Sequence, residues 1–202
     1  VTPFWHELVT RKSWEVLTGL RPRYRFTLIG GWAVFLYART LKSKDIDLVM
    51  DYDELGRFQK EYPLTKNERL RKYEARVEEV EIDVYAPHYS NPGLRAEEVL
   101  RHSSSLEGFE VPRPEILLIL KQHALSQRAA SPKGEKDRLD ILSLLKAAAM
   151  DWEFYREQAQ RQRPDSVQEL RDLLAGVREA AELGINRHEL SRLKKAWREA
   201  LG

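Results

Sequence analysis

Residues 28–50 read LIGGWAVFLYARTLKSKDIDLVM, and the fold is decided by how this stretch is parsed. The segment from Tyr24 to Ile29 is aromatic and β-branched enough for a strand, and the Gly30-Gly31 pair punctuates its end. A helix is expected next, since Trp32, Ala33, Phe35, Leu36 and Ala38 are good packing residues and no breaker intervenes before Thr40. Asp45 to Met50 then alternates. Asp45, Asp47 and Val49 share one face of a strand, with Ile46, Leu48 and Met50 on the other. The predicted order is strand, glycine turn, helix, strand, with two carboxylates aimed at one patch of space.

Outward from this unit, Leu70 to Val77 and Val80 to Tyr85 predict a hairpin about Glu78-Glu79, with Glu81 and Asp83 on one face of its second arm, VEIDVY. Gly108 to Val111 reads as one more short strand. Pro114 suits the first turn of the helix PEILLILKQHAL, and Ser131, Pro132 and Gly134 read as a loop before a second helix carrying KDRLDILSLLKAAA. From Trp152 the chain reads as helical only. Ser166 with Glu169 and Asn186 with Glu189 have capping-box spacing, Gly184 is placed to end the helix between them, and Leu170, Leu173, Leu174 and Val177 form an apolar stripe.

The 202 residues are enough to bury a substantial core, and no apolar run approaches the ~18 residues of a membrane-spanning helix. No basic-then-apolar leader is apparent at the start, so a soluble, cytoplasmic protein is expected. The chain has no cysteine, which excludes disulfides, thiolate metal sites and a cysteine nucleophile and leaves oxygen or imidazole for any metal. A net charge of +2 does not announce a nucleic-acid binder. Its distribution is uneven, however: Val16 to Lys44 has no acidic residue, while Arg21, Arg23, Arg25, Arg39, Lys42 and Lys44 precede Asp45. Such a stretch is either a solvated rim or an electropositive approach for a polyanion.

Two like charges held side by side on a strand are unfavourable unless a cation lies between them. Mg²⁺ suits Asp45 and Asp47, because it takes oxygen ligands and completes its shell with water and substrate phosphates. Asp83 would add a third carboxylate if its strand neighbours the first, with Glu81 as its rival, and three carboxylates permit two metals for an in-line phosphoryl or nucleotidyl transfer. Gly30 and Gly31, lacking β-carbons, would let backbone amides approach a triphosphate at a helix start.

Carried by LIGG, DIDL and IDV, this arrangement resembles the polymerase-beta-like nucleotidyltransferase superfamily. LLILKQHAL followed by EKDRLDILSLL resembles the lysine and lysine-aspartate helices of the AbiEii-type nucleotidyltransferases, known as toxins of type IV toxin–antitoxin systems, some of which modify the acceptor end of tRNA. The resemblance covers roughly Tyr24 to Leu145. It implies an α+β fold, a nucleotidyltransferase-type mixed sheet with flanking helices over residues 1–112, followed by a helical region over 113–202 that contributes to the active site. It also implies that Gly30 and Gly31 hold the triphosphate, that Asp45, Asp47 and Asp83 bind Mg²⁺, that Lys121 contacts phosphate, and that Asp137 and Asp140 are the later acidic positions, Asp137 catalytic and Asp140 nucleotide-binding. Read from the residues alone, Lys121 could instead snorkel to the surface, and Asp137 and Asp140 could be helix-starting carboxylates, a base for an acceptor hydroxyl or a support for Lys121. The expected partners are an NTP, an RNA acceptor and a cognate antitoxin protein. The competing readings are an inactive nucleotide-binding or protein-interaction module and a nucleotidyltransferase acting on a small molecule such as an antibiotic. His6, His88, His102, His123 and His188 show no ligand spacing; His123, near Lys121, could touch substrate, although the bland reading is a surface or core histidine.

Overall fold

The quoted stretch folds in the expected order in the computed structural model, which describes the backbone of residues 3–202 and the side chains from Glu7 onward; the side chain of His6 lies outside the described residues. In chain order the elements are α1 (Pro3–Leu20), β1 (Thr27–Ile29), α2 (Gly30–Ala38), β2 (Ile46–Val49), α3 (Tyr52–Gln59), β3 (Thr65–Asn67), β4 (Lys72–Val77), β5 (Val80–Tyr85), α4 (Ala96–Arg101), β6 (Ser103–Leu106), β7 (Phe109–Pro112), α5 (Pro114–Arg128), α6 (Pro132–Ala147), α7 (Trp152–Gln162), α8 (Ser166–Gly176) and α9 (Arg187–Leu201). The strands form one mixed sheet in the order β3-β4-β5-β2-β1-β7-β6. This is the α+β architecture expected.

Strand β1 is shorter than its aromatic and β-branched run. Tyr24 turns into the core against Phe58, ring centroids 5.2 Å apart, and the Arg25 amide donates to the Glu54 carboxylate at 3.3 Å, so the backbone here is spent on a side chain rather than on a neighbouring strand. Helix α2 stops at Ala38 because Arg39 adopts a left-handed conformation, φ 55°, and its amide returns to the Phe35 carbonyl. Asp45 lies immediately before β2 rather than within it.

Strand β2 runs antiparallel to β1 and parallel to β5, and this double pairing places the acidic residues. Asp47 stands directly opposite Ile29 on one side and Asp83 on the other. Neighbouring strands lie ~4.8 Å apart, so the side chains of Asp47 and Asp83 project to the same face within contact range. Strand β4 completes the row, with Glu74 opposite Asp83.

The helices of the second half pack on this sheet through α2. Ile116 to Ile119 of α5 and Ile141, Leu142 and Leu144 of α6 are fully buried or nearly so, in one apolar cluster with Leu28, Trp32, Ile46 and Leu48. Three expectations fail locally. Ser131, read as loop, is the N-cap of α6, accepting the Gly134 amide at 3.0 Å, so the helix begins at Pro132. Ser166 caps nothing: it sits inside α8, buried, while its carbonyl accepts from Gln122 Nε2 at 2.6 Å and the Tyr155 hydroxyl at 3.1 Å, and Glu169 pairs with Arg163. Helix α8 ends at Gly176, and Gly184 closes a short 3-10 turn, Ala181–Leu183. Asn186, in contrast, caps α9 by accepting the Glu189 amide at 2.9 Å. No described helix is long and apolar enough to cross a membrane.

Candidate active site

A cleft of about 240 Å³ opens where the end of β1, the start of β2, strand β5 and helix α5 meet. Its lining includes Gly30, Asp45, Asp47, Asp83, Lys121, Arg128 and Lys133, together with Tyr85 and His123. Asp83 is brought into the cleft by its register with Asp47; Glu81, its rival by alternation, is exposed and pairs in register with Arg76 instead.

The three carboxylates differ in what holds them. Asp45 Oδ2 accepts from Lys133 Nζ at 2.9 Å, and Asp83 Oδ2 accepts from Lys72 Nζ at 2.5 Å, the same ammonium lying 3.0 Å from Glu74 Oε1. No side-chain hydrogen bond or salt bridge reaches Asp47 among the described residues. Burial, reinforced by the charge of Asp83, pushes the Asp47 carboxyl up to about 6, and burial likewise raises Asp83 against the opposing effect of Lys72. For Lys72, burial pulls its pKa down, yet the hydrogen bond and charge of Asp83 leave it above the ordinary lysine value. Tyr85 is held far above the usual phenol range by burial and by the charges of Asp47 and Asp83.

Gly30 is required by this geometry. Its φ is +68°, and a β-carbon there would overlap the Asp47 carboxylate, so the glycine admits the acid to the end of β1. Gly31 lies beside it, one step further into the fold. It is buried outside the cleft lining, and a β-carbon there would crowd Ser43 and the Lys136 ammonium, so the glycine admits the close packing seen at the start of α2.

Behind the cleft, helices α5 and α6 build a buried charge network. Lys121 Nζ lies 3.1 Å from Asp137 Oδ1 and 2.6 Å from Asp140 Oδ2; Asp137 also accepts from Arg128 Nε at 2.7 Å, and Asp140 from Lys136 Nζ at 3.0 Å. Both acids therefore face Lys121, which settles their orientation. Lys121 does not snorkel: it is 6% exposed, and although burial opposes its charge, Asp140 and Asp137 raise its pKa above the ordinary value. Asp137 and Asp140 are 1% and 0% exposed and do not line the cleft. In this structure the two acids contact Lys121 and Arg128, which line the cleft, rather than the cleft itself.

His123 lines the cleft beside Arg163, 3.3 Å from Nδ1, and burial together with that cation lowers its pKa. Of the six cations of the acid-free stretch, Lys42 and Lys44 are exposed, while the four arginines are engaged. Arg23 pairs with Glu61, Arg25 with Glu54 at 3.1 Å, and Arg39 with Glu107, while Arg21 donates to the Glu107 carbonyl. Lys72, Arg128 and Lys133, which the sequence did not single out, join Lys121 as cations of the cleft.

Among the described residues no three histidine, aspartate or glutamate side chains converge as a finished metal shell. The donor set nevertheless fits a divalent cation of the Mg²⁺ type. It consists of carboxylate oxygens alone, Asp47 is a half-enclosed acid without a cationic hydrogen-bonding partner, and such ions need only one or two protein carboxylates beside water and phosphate oxygens. Asp47 and Asp83 would hold it, joined by Asp45.

No family model matches the chain, and no curated protein matches it. Solved structures do. The antigenic nucleotidyltransferase-like protein from Paracoccidioides brasiliensis aligns with 95% of this chain and 92% of its own at 18% identity and a TM-score of 0.49. The Megavirus polyadenylate synthase aligns at 15% identity and a TM-score of 0.46 over 73% of this chain, which spans about a third of that protein, 33%. ANT(2")-Ia, solved in complex with adenylyl-2"-tobramycin, aligns at 14% identity and a TM-score of 0.52 over 77% of this chain and 97% of its own. The chain has the nucleotidyltransferase fold, with its acidic cleft at the meeting of β2 and β5.

Proposed function

We propose that this protein is a nucleotidyltransferase: an acceptor hydroxyl attacks the α-phosphate of a nucleoside triphosphate, a new P–O bond forms as the bond to the bridging oxygen breaks, and pyrophosphate leaves. The observation that carries this reading is the convergence of Asp45, Asp47 and Asp83 with Lys121 and Arg128 on one cleft of a nucleotidyltransferase fold. When bound, Mg²⁺ would neutralise phosphate charge and polarise the reacting phosphoryl group. Gly30 opens α2 at the cleft, where first-turn amides without helical partners favour an anion. Lys121, held from behind by Asp137 and Asp140, directs a fixed positive charge at the cleft. With those two acids sealed off, Asp45, Asp47 and Asp83 are the carboxylates within reach of an acceptor proton. Catalysis is then mostly positioning and charge neutralisation.

The proposal extends to the AbiEii-type branch, with an RNA acceptor resembling tRNA, a toxin role and an antitoxin partner. The meeting of Lys121 with both Asp137 and Asp140 supports the branch, because it makes one unit of the two helices that carry the resemblance. A groove between α8 and α9 supports the acceptor: Arg178, Arg187, Lys194, Lys195 and Arg198 line it with Glu199 as the single acid, a surface suited to a phosphate backbone.

The test is incubation with each of the four labelled NTPs and Mg²⁺ in the presence of total RNA, with an aminoglycoside in parallel and Asp47→Asn as control. Label in RNA that depends on Mg²⁺ and on Asp47 is expected. Label confined to the aminoglycoside would move the acceptor to the small-molecule class. An interaction module would give no labelled species with any nucleotide, and that result would remove the enzymatic reading.

A further inference from the structure

Two lysines stand where the chemistry proposed above needs a metal ion. Lys72 of β4 sits between Asp83 and Glu74, and Lys133 of α6 sits on Asp45, so the two outer members of the acidic cluster are gripped from opposite flanks while Asp47 between them has no such partner. With both ammonium groups in place, a divalent cation entering on Asp47 and Asp83 would meet like charge at contact range. A triphosphate removes that conflict, because its oxygens offer each lysine an alternative anion.

The residue types and positions suit release. A lysine is a point charge on a flexible stem, without the fixed bidentate geometry an arginine would bring to a carboxylate. Lys133 is 64% exposed at its side chain and lies in the first turn of α6, where the helix dipole disfavours a cation. Asp45, rather than the helix, holds it there, through the 2.9 Å hydrogen bond from Nζ. Lys72 is 12% exposed, and its position on β4 opposite the Asp83 strand keeps it over the cleft face.

We propose that Lys72 and Lys133 are displaceable counter-ions that hold Asp83 and Asp45 until a nucleoside triphosphate arrives, so that divalent metal binds poorly alone and binds together with nucleotide. This rests on the nucleotidyltransferase reading of the cleft. It makes the two lysines positioning residues for the metal and contacts for the phosphates.

Calorimetric titration of the full chain with Mn²⁺ alone, and then with Mn²⁺ and each NTP in turn, tests it on the wild type, Lys133→Met and Lys72→Met. Removal of either lysine is expected to tighten Mn²⁺ binding in the absence of nucleotide by about fivefold, the equivalent of one modest ion pair, and to shrink the gain in metal affinity that nucleotide brings. A lysine with a merely structural role would, on removal, leave metal affinity the same or lower it, and that result in Lys133→Met overturns the proposal. Lys133→Met changes an exposed side chain and so remains decisive if Lys72→Met, which uncovers Asp83 and Glu74, unfolds by circular dichroism. Absence of binding by any NTP would count against nucleotidyl transfer itself, while the Mn²⁺ titration without nucleotide still decides the role of the lysines.

Discussion

Asp47→Asn is expected to abolish nucleotidyl transfer and to raise the melting temperature of the free protein. The loss of activity, about a hundredfold to a thousandfold or more, follows from removing the carboxylate that lies between Gly30 and Asp83 in the cleft. The gain in stability follows from the same geometry. The Asp47 carboxyl is pushed up to about 6 by burial and by Asp83, above its value of ~3.9 in an unfolded chain. Between those two pH values the folded protein retains a proton that the unfolded chain has released, so stability falls as pH rises through the window and the cost is fully present above about pH 6. Asparagine keeps the shape and removes that charge. A gain of about 2 kcal/mol at pH 7.5, or about 5 °C in a protein of this size, is expected, shrinking towards zero near pH 4. Scanning calorimetry at the two pH values, alongside labelled transfer, checks both halves. An unchanged or lower melting temperature at pH 7.5 would contradict the electrostatic reading of this acid.

Lys121→Met is expected to behave in the opposite sense, losing stability as well as activity. The ammonium balances two acids that are essentially sealed from water, at 3.1 Å and 2.6 Å. Methionine fills a similar volume, so the cost is electrical: Arg128 and Lys136 remain, but the face between Asp137 and Asp140 is left without a cation. Breaking a buried pair by removing one partner costs about 3 kcal/mol or more. The triple variant Lys121→Met, Asp137→Asn, Asp140→Asn should recover neither stability nor activity, because Arg128 and Lys136 then lose the acids they pair with. Urea denaturation reads the first effect and labelled transfer the second; recovery of transfer by the triple variant would show that Lys121 serves packing alone.

The glycine pair, the DID stretch and the IDV strand were legible because alternation and breakers are local signals, and Gly30, Asp45, Asp47 and Asp83 do line one cleft. Alternation could not choose between Glu81 and Asp83, which share a face; the parallel register of β2 on β5 chose Asp83. Helical spacing left Asp137 and Asp140 equivalent, and only the packing of α5 on α6 showed that both turn to Lys121. The acid-free stretch left a solvated rim and an approach for a polyanion undecided because the acids that pair with its arginines, Glu54, Glu61 and Glu107, are distant in the chain. Strands β3 and β6, TKN and SSSL, are too short and polar to register as strands before a neighbour pairs with them. Lys133 did carry a signal that could have been used: a cation in the first turn of a helix runs against the dipole and invites a search for its anion. Lys72 and Glu74, two apart on a strand, similarly mark the face that meets Asp83.

The reading stands or falls on what the cleft between β2 and β5 holds. Crystals of the full chain grown with Mn²⁺ and a non-hydrolysable nucleoside triphosphate analogue, measured at a wavelength where manganese scatters anomalously, give its position directly. The anomalous peak is expected between Asp47 and Asp83, with the triphosphate running past Gly30 towards Lys121. A peak elsewhere, or nucleotide bound with Asp83 still held on Lys72 and no metal at Asp47, would contradict a metal-dependent nucleotidyltransferase site.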